Sequence, residues 1–152
     1  EVARRCGYMP LALRIAGARL AARPGWAISA FVRRLADDAD RLSELEFGDF
    51  SVRESFAASY QELITSSDPL DRLAGAAFAR LGSSSGKWLS GAEAARLLDC
   101  PVRVAELLLE RLVDARLLDS RLWGWYRFPP LLRLYARQLP EVAAIASPGG
   151  HW

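Results

Sequence analysis

The sequence predicts a mostly α-helical fold in two successive units, with one small β-hairpin near the end of the second. Apolar residues recur at helical spacing through most of the 152-residue chain. Ser51 and Ser90 each stand three residues before a glutamate, which is the capping-box pattern of a helix start. Near the end of the chain, two short runs at 117–121 and 125–128 flank Gly124, as the strands of a hairpin do.

The first unit is predicted as a helical subdomain over residues 1–66. Pro10 suits the first turn of a helix, which we expect to end near Ala22, before Pro24 and Gly25. A second apolar stripe indicates another helix, followed by a short polar helix or turn over 37–46 and a break at 47–49. The stripe consists of Ile28, Phe31, Val32 and Leu35. The helix behind Ser51 carries its own apolar face, made of Val52, Phe56, Tyr60 and Leu63.

The second unit is predicted over residues 67–139, with 140–152 as a tail or linker. Asp68 and Pro69 begin a helix by cap and first-turn proline, and a Ser/Gly loop follows at 82–86. Further helices are expected over about 91–98 and 101–115, and a last one runs from the 129–130 proline pair to about residue 139. Three helices, a hairpin and a helix are the order of a winged-helix domain with a two-stranded β-hairpin.

Composition excludes several classes of protein. A hydrophobic content of 51% and a charged content of 25% are typical of a globular chain. The net charge of +2 does not by itself indicate nucleic acid or acidic lipid as a partner. No apolar run approaches the length that a membrane span needs, so we expect no membrane partner and a cytoplasmic protein. The chain begins at Glu1 without a methionine, and we therefore expect a piece of a longer protein.

The chemistry-bearing residues do not form an enzyme site. Cys6 and Cys100 are far apart and in no motif, which favours two small buried thiols over a disulfide. The single histidine, His151, stands next to the end, so neither a zinc site nor a Ser-His-Asp triad is expected. The acidic pairs at 37–38 and 44–46 have no partner base and are interpreted as solvated surface. We expect the fragment not to be an enzyme.

One segment has a partial likeness to a phosphate-binding loop. Residues 83–88 end in Gly-Lys-Trp, but the first glycine is missing and Trp88 stands where a P-loop has its metal-binding hydroxyl. We interpret the segment as a solvated loop. The fragment is therefore expected to bind no cofactor of its own.

Three segments together resemble the NB-ARC module of signalling ATPases. Residues 6–17, Cys-Gly-Tyr-Met-Pro-Leu-Ala-Leu-Arg-Ile-Ala-Gly, are similar to its Cys-Gly-Gly-Leu-Pro-Leu-Ala-Leu segment. Residues 48–60 are similar to the stretch that links its helical (ARC) subdomain to its winged helix, and residues 113–136 resemble the end of that winged helix. The subgroup with the greatest resemblance is fused to SARP-type DNA-binding domains in antibiotic-regulatory transcription activators.

The resemblance implies the regulatory part of an ATP/ADP switch in a bacterial transcriptional regulator. In such modules a P-loop domain upstream in the same chain binds ADP or ATP, and the helical subdomain and winged helix close over the nucleotide. Exchange to ATP opens the module and allows homo-oligomers to form. The implied partners are therefore that upstream domain, other copies of the protein, and DNA through other domains. The parent protein would be a slow ATPase.

The family's nucleotide contacts are carried over residue by residue. Gly7, Met9 and Pro10 match the loop whose proline packs near the adenine, although Tyr8 stands where the family has a second glycine. The family's His-Asp pair, which reaches the β-phosphate of ADP, falls on Pro129 and Pro130. Prolines offer no side-chain donor. The contact that retains ADP, called the ADP lock below, is then weak, lost, or supplied by other residues such as Arg127 or Arg133.

The alternative is a winged helix that binds DNA directly. Its third helix would enter the major groove, and it is expected to expose two basic and three acidic side chains, a face that repels phosphates. These are Arg103, Glu106, Glu110, Arg111 and Asp114. The hairpin adds Arg121, Arg127 and a group of three aromatic side chains. These aromatic side chains either touch a groove of the DNA or pack the hairpin onto the helices. The aromatic group is Trp123, Trp125 and Tyr126.

Overall fold

The computed structural model describes residues 1–140 and confirms a mostly helical fold with a small antiparallel hairpin. The chain divides into two compact units, Glu1–Ala57 and a second unit that begins at Ala58. The predicted boundary after Ser66 stays a prediction. The tail predicted from residue 140 lies, beyond Pro140 itself, outside the described residues, as does His151.

The first unit holds short helices and one very small hairpin. Pro10 occupies the first turn of its longest complete helix, as predicted. The predicted break at 47–49 is the turn of a two-stranded hairpin, with Gly48 at a φ of +59°. Ile28 is exposed, so the third helix buries only Phe31 and Leu35 of the predicted stripe fully. The elements are α1 Val2–Arg5, α2 Pro10–Ala22, α3 Ile28–Ala36, α4 Arg41–Glu44, β1 Glu46–Phe47, β2 Phe50–Ser51 and α5 Val52–Ile64, within which the division falls.

The second unit follows the predicted order of helices and hairpin, with one strand more. The two strands of the predicted hairpin pair with each other, and a third strand before α7 pairs with β5, giving the order β3-β5-β4, antiparallel throughout. Strand β3 is short and ends at the serine that caps the next helix, so no alternation marks it in the sequence. The elements are α6 Pro69–Leu81, β3 Trp88–Ser90, α7 Gly91–Leu98, α8 Val102–Asp114, β4 Asp119–Leu122, β5 Trp125–Arg127 and α9 Pro130–Gln138.

The predicted helix starts are capped by side chains. Ser51 Oγ accepts a hydrogen bond from the Glu54 N–H at 3.2 Å, and Ser90 Oγ accepts one from the Glu93 N–H at 3.2 Å. The Asp68 carboxylate accepts from the Leu70 N–H at 2.9 Å, at the start of α6. Each bond satisfies an N–H group that has no partner within the helix.

The core of the second unit combines an aromatic cluster with the leucines of α8. Phe78 stacks on Phe128 with ring centroids 5.3 Å apart, and Tyr135 meets the ring of Tyr60 edge-on at 6.3 Å. Leu108, Leu109 and Leu112 of α8 are fully buried. Helix α8 therefore presents one apolar face to α6 and α7 and leaves the opposite face to solvent.

Arg111 is an exception to the predicted exposed face of α8. Its Nη1 donates to Asp68 Oδ2 at 2.8 Å and to Asp71 Oδ1 at 2.7 Å, so this side chain ties α8 to the start of α6. The hydrogen bond from Arg111 holds the pKa of Asp68 below its ordinary value of 3.8. For Asp71, hydrogen bonds from Ser66 and then Arg111 lower the pKa in the same way.

We expect Arg111→Gln to lower the free energy of unfolding at neutral pH and to have little effect in acid. Because the pKa of each aspartate is depressed in the folded state, the stabilisation is complete above 3.8 and is lost as pH falls through the lowered folded value. Urea unfolding of both proteins at a series of pH values measures the difference. A gap between the two proteins that stays constant at low pH would contradict the assignment, and Arg96→Gln, on the exposed side of α7, is the matched control.

The acidic pairs of the first unit are only partly solvated. Glu44 is buried, contrary to the prediction, and its carboxylate lies 2.7 Å from Arg19 Nη1 and 2.8 Å from Arg34 Nη2. The two guanidinium groups supply the opposite charge that a buried carboxylate requires. Asp37 and Asp38 are exposed as predicted. Both cysteines are free thiols: Cys6 is fully buried, and Cys100 is partly buried.

Candidate nucleotide contacts and the exposed face of the second unit

The loop before α2 has an unusual backbone at two consecutive residues. Gly7 and Tyr8 both adopt left-handed conformations, with φ of +61° and +56°. The Tyr8 N–H donates to the Ala3 carbonyl at 3.0 Å, and Met9 then occupies the N-cap position of α2 without a side-chain cap. A glycine adopts such a φ without strain, whereas a tyrosine does not. The backbone at position 8 is therefore one that favours glycine over tyrosine.

We expect Tyr8→Gly to stabilise the first unit by about 0.5–1 kcal/mol, because the relief of left-handed strain exceeds the extra chain entropy of glycine. Tyr8→Ala is the matched control, since it removes the exposed ring but keeps the Cβ that causes the strain. Urea unfolding midpoints at equal slope compare the three proteins. Equal midpoints for the glycine and alanine variants would show that the backbone at Tyr8 is not strained.

The proline pair lies at the start of α9. Pro129 is the N-cap residue, with φ of −58° and ψ of 140°, and Pro130 is the first residue of the helix. The Pro129 carbonyl accepts from the Arg133 N–H at 2.9 Å. Arg127 lies at the end of β5, opposite Trp88 on one side and Asp119 on the other. The three predicted residues of this unit thus lie at the β5 end and in the first turns of α9.

Two arginines of α9 hold the loop between α6 and β3. Arg133 Nη2 donates to the Gly86 carbonyl at 2.5 Å, and Arg137 Nε donates to the Gly82 carbonyl at 2.7 Å. Arg137 Nη2 also reaches the Ser84 carbonyl at 3.3 Å. The side chain of Arg133 lies over the ring of Phe128, with the guanidinium carbon 5.5 Å from the centroid.

This group of cations is not neutralised within the described residues. Burial lowers the pKa of Arg133, and the nearby charge of Arg137 lowers it further. The Nε of Arg133 and the hydroxyl of Ser84 are buried and have no hydrogen-bond partner in residues 1–140. Buried donors normally have acceptors, so these two groups are unsatisfied within the part of the chain that the structure describes.

Sequence reasoning pointed to Arg133 but missed Arg137. A usable signal was present, because the two arginines stand four residues apart on a helix that contains no acidic residue. The carbonyls that they hold belong to the 82–86 loop. That loop was correctly predicted as irregular, but its connection to α9 was not visible in the sequence.

The face of α8 turned away from the core meets the tip of the hairpin in an open groove of about 350 Å³. The hairpin turn consists of Trp123 and Gly124, the latter with φ of +79°, and the indole of Trp123 is 100% exposed. Of the predicted hairpin aromatics, only Tyr126 packs into the core, and its hydroxyl donates to Glu110 Oε1 at 2.5 Å. Burial raises the pKa of Tyr126, and the hydrogen bond to Glu110 raises it further.

With Arg111 engaged elsewhere, the exposed face of α8 is acidic. It carries Arg103 against Glu106, Glu110 and Asp114, one cation against three anions. This is a stronger excess of negative charge than the sequence predicted. No group of three or more possible metal ligands occurs in residues 1–140, and no helix there is long and apolar enough to cross a membrane.

Comparison with known proteins finds two similar regulators. The chain is 45% identical over 141 residues, or 93% of its length, to the regulatory protein AfsR of Streptomyces griseus, and equally so to AfsR of Streptomyces coelicolor. It spans 14% of the length of each of these relatives. No family model matches the chain, and no solved structure matches it. The chain is therefore similar, over nearly all of its length, to one segment of these two regulatory proteins.

Proposed function

We propose that this chain is the helical and winged-helix part of an ATP/ADP switch in a bacterial transcriptional regulator, closing over nucleotide held by a P-loop domain elsewhere in a longer protein. The similarity to regulatory proteins over 93% of the chain supports the regulatory context. The likeness of residues 6–17, 48–60 and 113–136 to the NB-ARC module supports the switch. In this proposal the nucleotide biases two conformations by contacting one of them better.

The observation that carries the proposal is the unneutralised arginine pair of α9. The family's phosphate contact falls on Pro129, and neither proline there can donate a hydrogen bond from its side chain. Arg133, one turn further along the helix, has a buried Nε without an acceptor in the described residues, and Arg137 adds a second positive charge beside it. A phosphate oxygen is the acceptor that a guanidinium binds best. We therefore propose that Arg133 supplies part of the phosphate contact that a histidine makes in the family.

Calorimetric titration with ADP tests this proposal. The 152-residue chain alone should give no measurable heat of binding, because residues 83–88 lack the glycines and hydroxyl of a P-loop. The longer protein that contains it should bind ADP, and Arg133→Gln should weaken that binding, with Arg96→Gln on the exposed side of α7 as the control. A longer protein that binds no nucleotide would overturn the proposal.

A second candidate function is direct DNA binding, favoured by the exposed hairpin. Trp123 lies at the tip of the β4–β5 hairpin, Arg121 lies two residues before it, and both are exposed and can reach a groove of the DNA. The helix that would read the major groove, however, presents Arg103 against three acidic side chains, and phosphates repel such a face. Fluorescence anisotropy of a labelled duplex of about 20 base pairs decides between the two functions. Salt-sensitive binding by the isolated chain would favour the second.

A further inference from the structure

A groove lies between α8 and the tip of the hairpin. Leu107, which is 48% exposed, and Trp123, which is 100% exposed, line this groove. The hairpin strands on either side of the turn carry two further exposed apolar side chains, Leu122 at 62% and Trp125 at 48%. Large exposed apolar surfaces typically mark a docking site. Tryptophans are also strongly enriched among the residues that dominate binding energy at interfaces. We name this groove the wing groove; its lining side chains are Arg103, Glu106, Leu107, Glu110, Trp123 and Tyr126.

The charge in the wing groove defines the partner. Glu106 and Glu110 line the groove together with one cation, Arg103, and neither glutamate forms an ion pair within residues 1–140. The hydroxyl of Tyr126, on β5, holds the carboxylate of Glu110 by a hydrogen bond. The side chain of Glu106 packs closely against Gly91 of α7, where an added Cβ would lie only 2.7 Å from the Cγ of Glu106. Two carboxylates against one guanidinium leave an excess of negative charge beside the apolar side chains of the groove. Such a surface fits an apolar side chain flanked by arginine or lysine.

We propose that the wing groove binds a basic, amphipathic segment of another protein, and that it does not bind DNA. The indole of Trp123 supplies the apolar anchor, and Glu106 and Glu110 select cationic neighbours. The proposal is independent of nucleotide binding, since it uses none of the residues at the start of α9. The same excess of negative charge disfavours a nucleic-acid backbone.

The experiment uses the 152-residue chain and two synthetic helical peptides of about 15 residues. In the first, each leucine of one face is flanked by arginine; in the second, glutamate replaces every arginine. Fluorescence anisotropy should show binding of the arginine peptide only, with Trp123→Ala weakening it by at least about tenfold. Glu106→Gln should weaken it about three- to tenfold. Glu62→Gln, an exposed carboxylate on α5, should leave it unchanged.

Three outcomes would overturn the proposal. Absence of binding by the arginine peptide would show that the groove has no such specificity. Equal binding of both peptides would show that the carboxylates do not select the partner. Tighter binding of a duplex of about 20 base pairs, lost on Trp123→Ala, would make the hairpin a DNA contact instead. Because the side chain of Trp123 is fully exposed, its removal leaves the fold intact, and an unchanged circular dichroism spectrum verifies this.

Discussion

Leu108→Ala should lower the free energy of unfolding by about 2–5 kcal/mol, the range for truncating a buried leucine. Leu108 is fully buried in α8, the helix that packs against both α6 and α7. Removing its three outer carbons leaves a cavity, which the surrounding core can close only in part. Urea unfolding at several denaturant concentrations gives the difference directly, provided that the slopes of the two curves agree.

The chain offers a matched control at the preceding residue. Leu107 is the same residue type in the same helix, but it is 48% exposed on the opposite face. Leu107→Ala changes the helix propensity in the same direction and by the same amount as Leu108→Ala does, but it creates no cavity. We expect its effect to stay within about 0.5 kcal/mol. Equal losses from both substitutions would mean that the orientation of α8 is wrong.

Pro129→His in the longer protein should slow the release of ADP by about 10- to 150-fold, since a charge-assisted hydrogen bond to phosphate contributes about 1.5–3 kcal/mol. The backbone accepts the change. Pro129 has φ of −58° and ψ of 140°, an extended conformation that suits any residue before Pro130. Its ring can therefore be replaced without moving the start of α9.

The control for this substitution is Pro129→Ala, which removes the same ring but supplies no donor. Stopped-flow release of a fluorescent ADP analogue measures all three rates. The alanine variant should release the analogue as fast as the original protein, and the histidine variant should be the slow one. If the alanine variant is equally slow, the effect comes from the loss of proline rather than from a phosphate contact. If the original protein already matches the histidine variant, Arg133 supplies the full lock.

Local sequence signals predicted the second unit well because each helix there has its own start. Pro69, Ser90 and Pro101 stand at or beside the first residues of α6, α7 and α8, and the structure begins each helix within a residue of the predicted place. The three-residue strand β3 was missed because its only signals are Trp88 and Leu89. Such a strand forms only when β5 pairs with it, which is a tertiary effect.

Charged side chains were harder to predict, because their surroundings depend on partners distant in sequence. Glu44 was interpreted as solvated, yet it pairs with Arg19 from 25 residues earlier in the chain. Arg111 was interpreted as exposed on α8, yet it binds Asp68 and Asp71 about 40 residues earlier. Helical periodicity assigns a residue to a face, but it does not say which neighbour that face meets.

The proposed nucleotide contacts were accessible to sequence reasoning only through resemblance. Gly7, Met9 and Pro10 carry no charge and would attract no interest on composition alone. The structure adds the left-handed backbone at Tyr8 and the unneutralised arginines of α9, neither of which periodicity reveals. Both are properties of the folded chain: the φ value of Tyr8 in the first case, and a buried side-chain N–H group of Arg133 without an acceptor in the second.

Hydrogen–deuterium exchange of the longer protein, with and without ADP, tests the central claim most directly. If this chain closes over nucleotide, the amides of residues 6–13 and 127–135 should exchange more slowly with ADP bound than without it, and faster again when ATP replaces ADP. The exposed hairpin tip at 121–124 should exchange equally in all three states, since it takes no part in the closure. Unchanged exchange in residues 6–13 and 127–135, in a protein saturated with ADP, would contradict the switch.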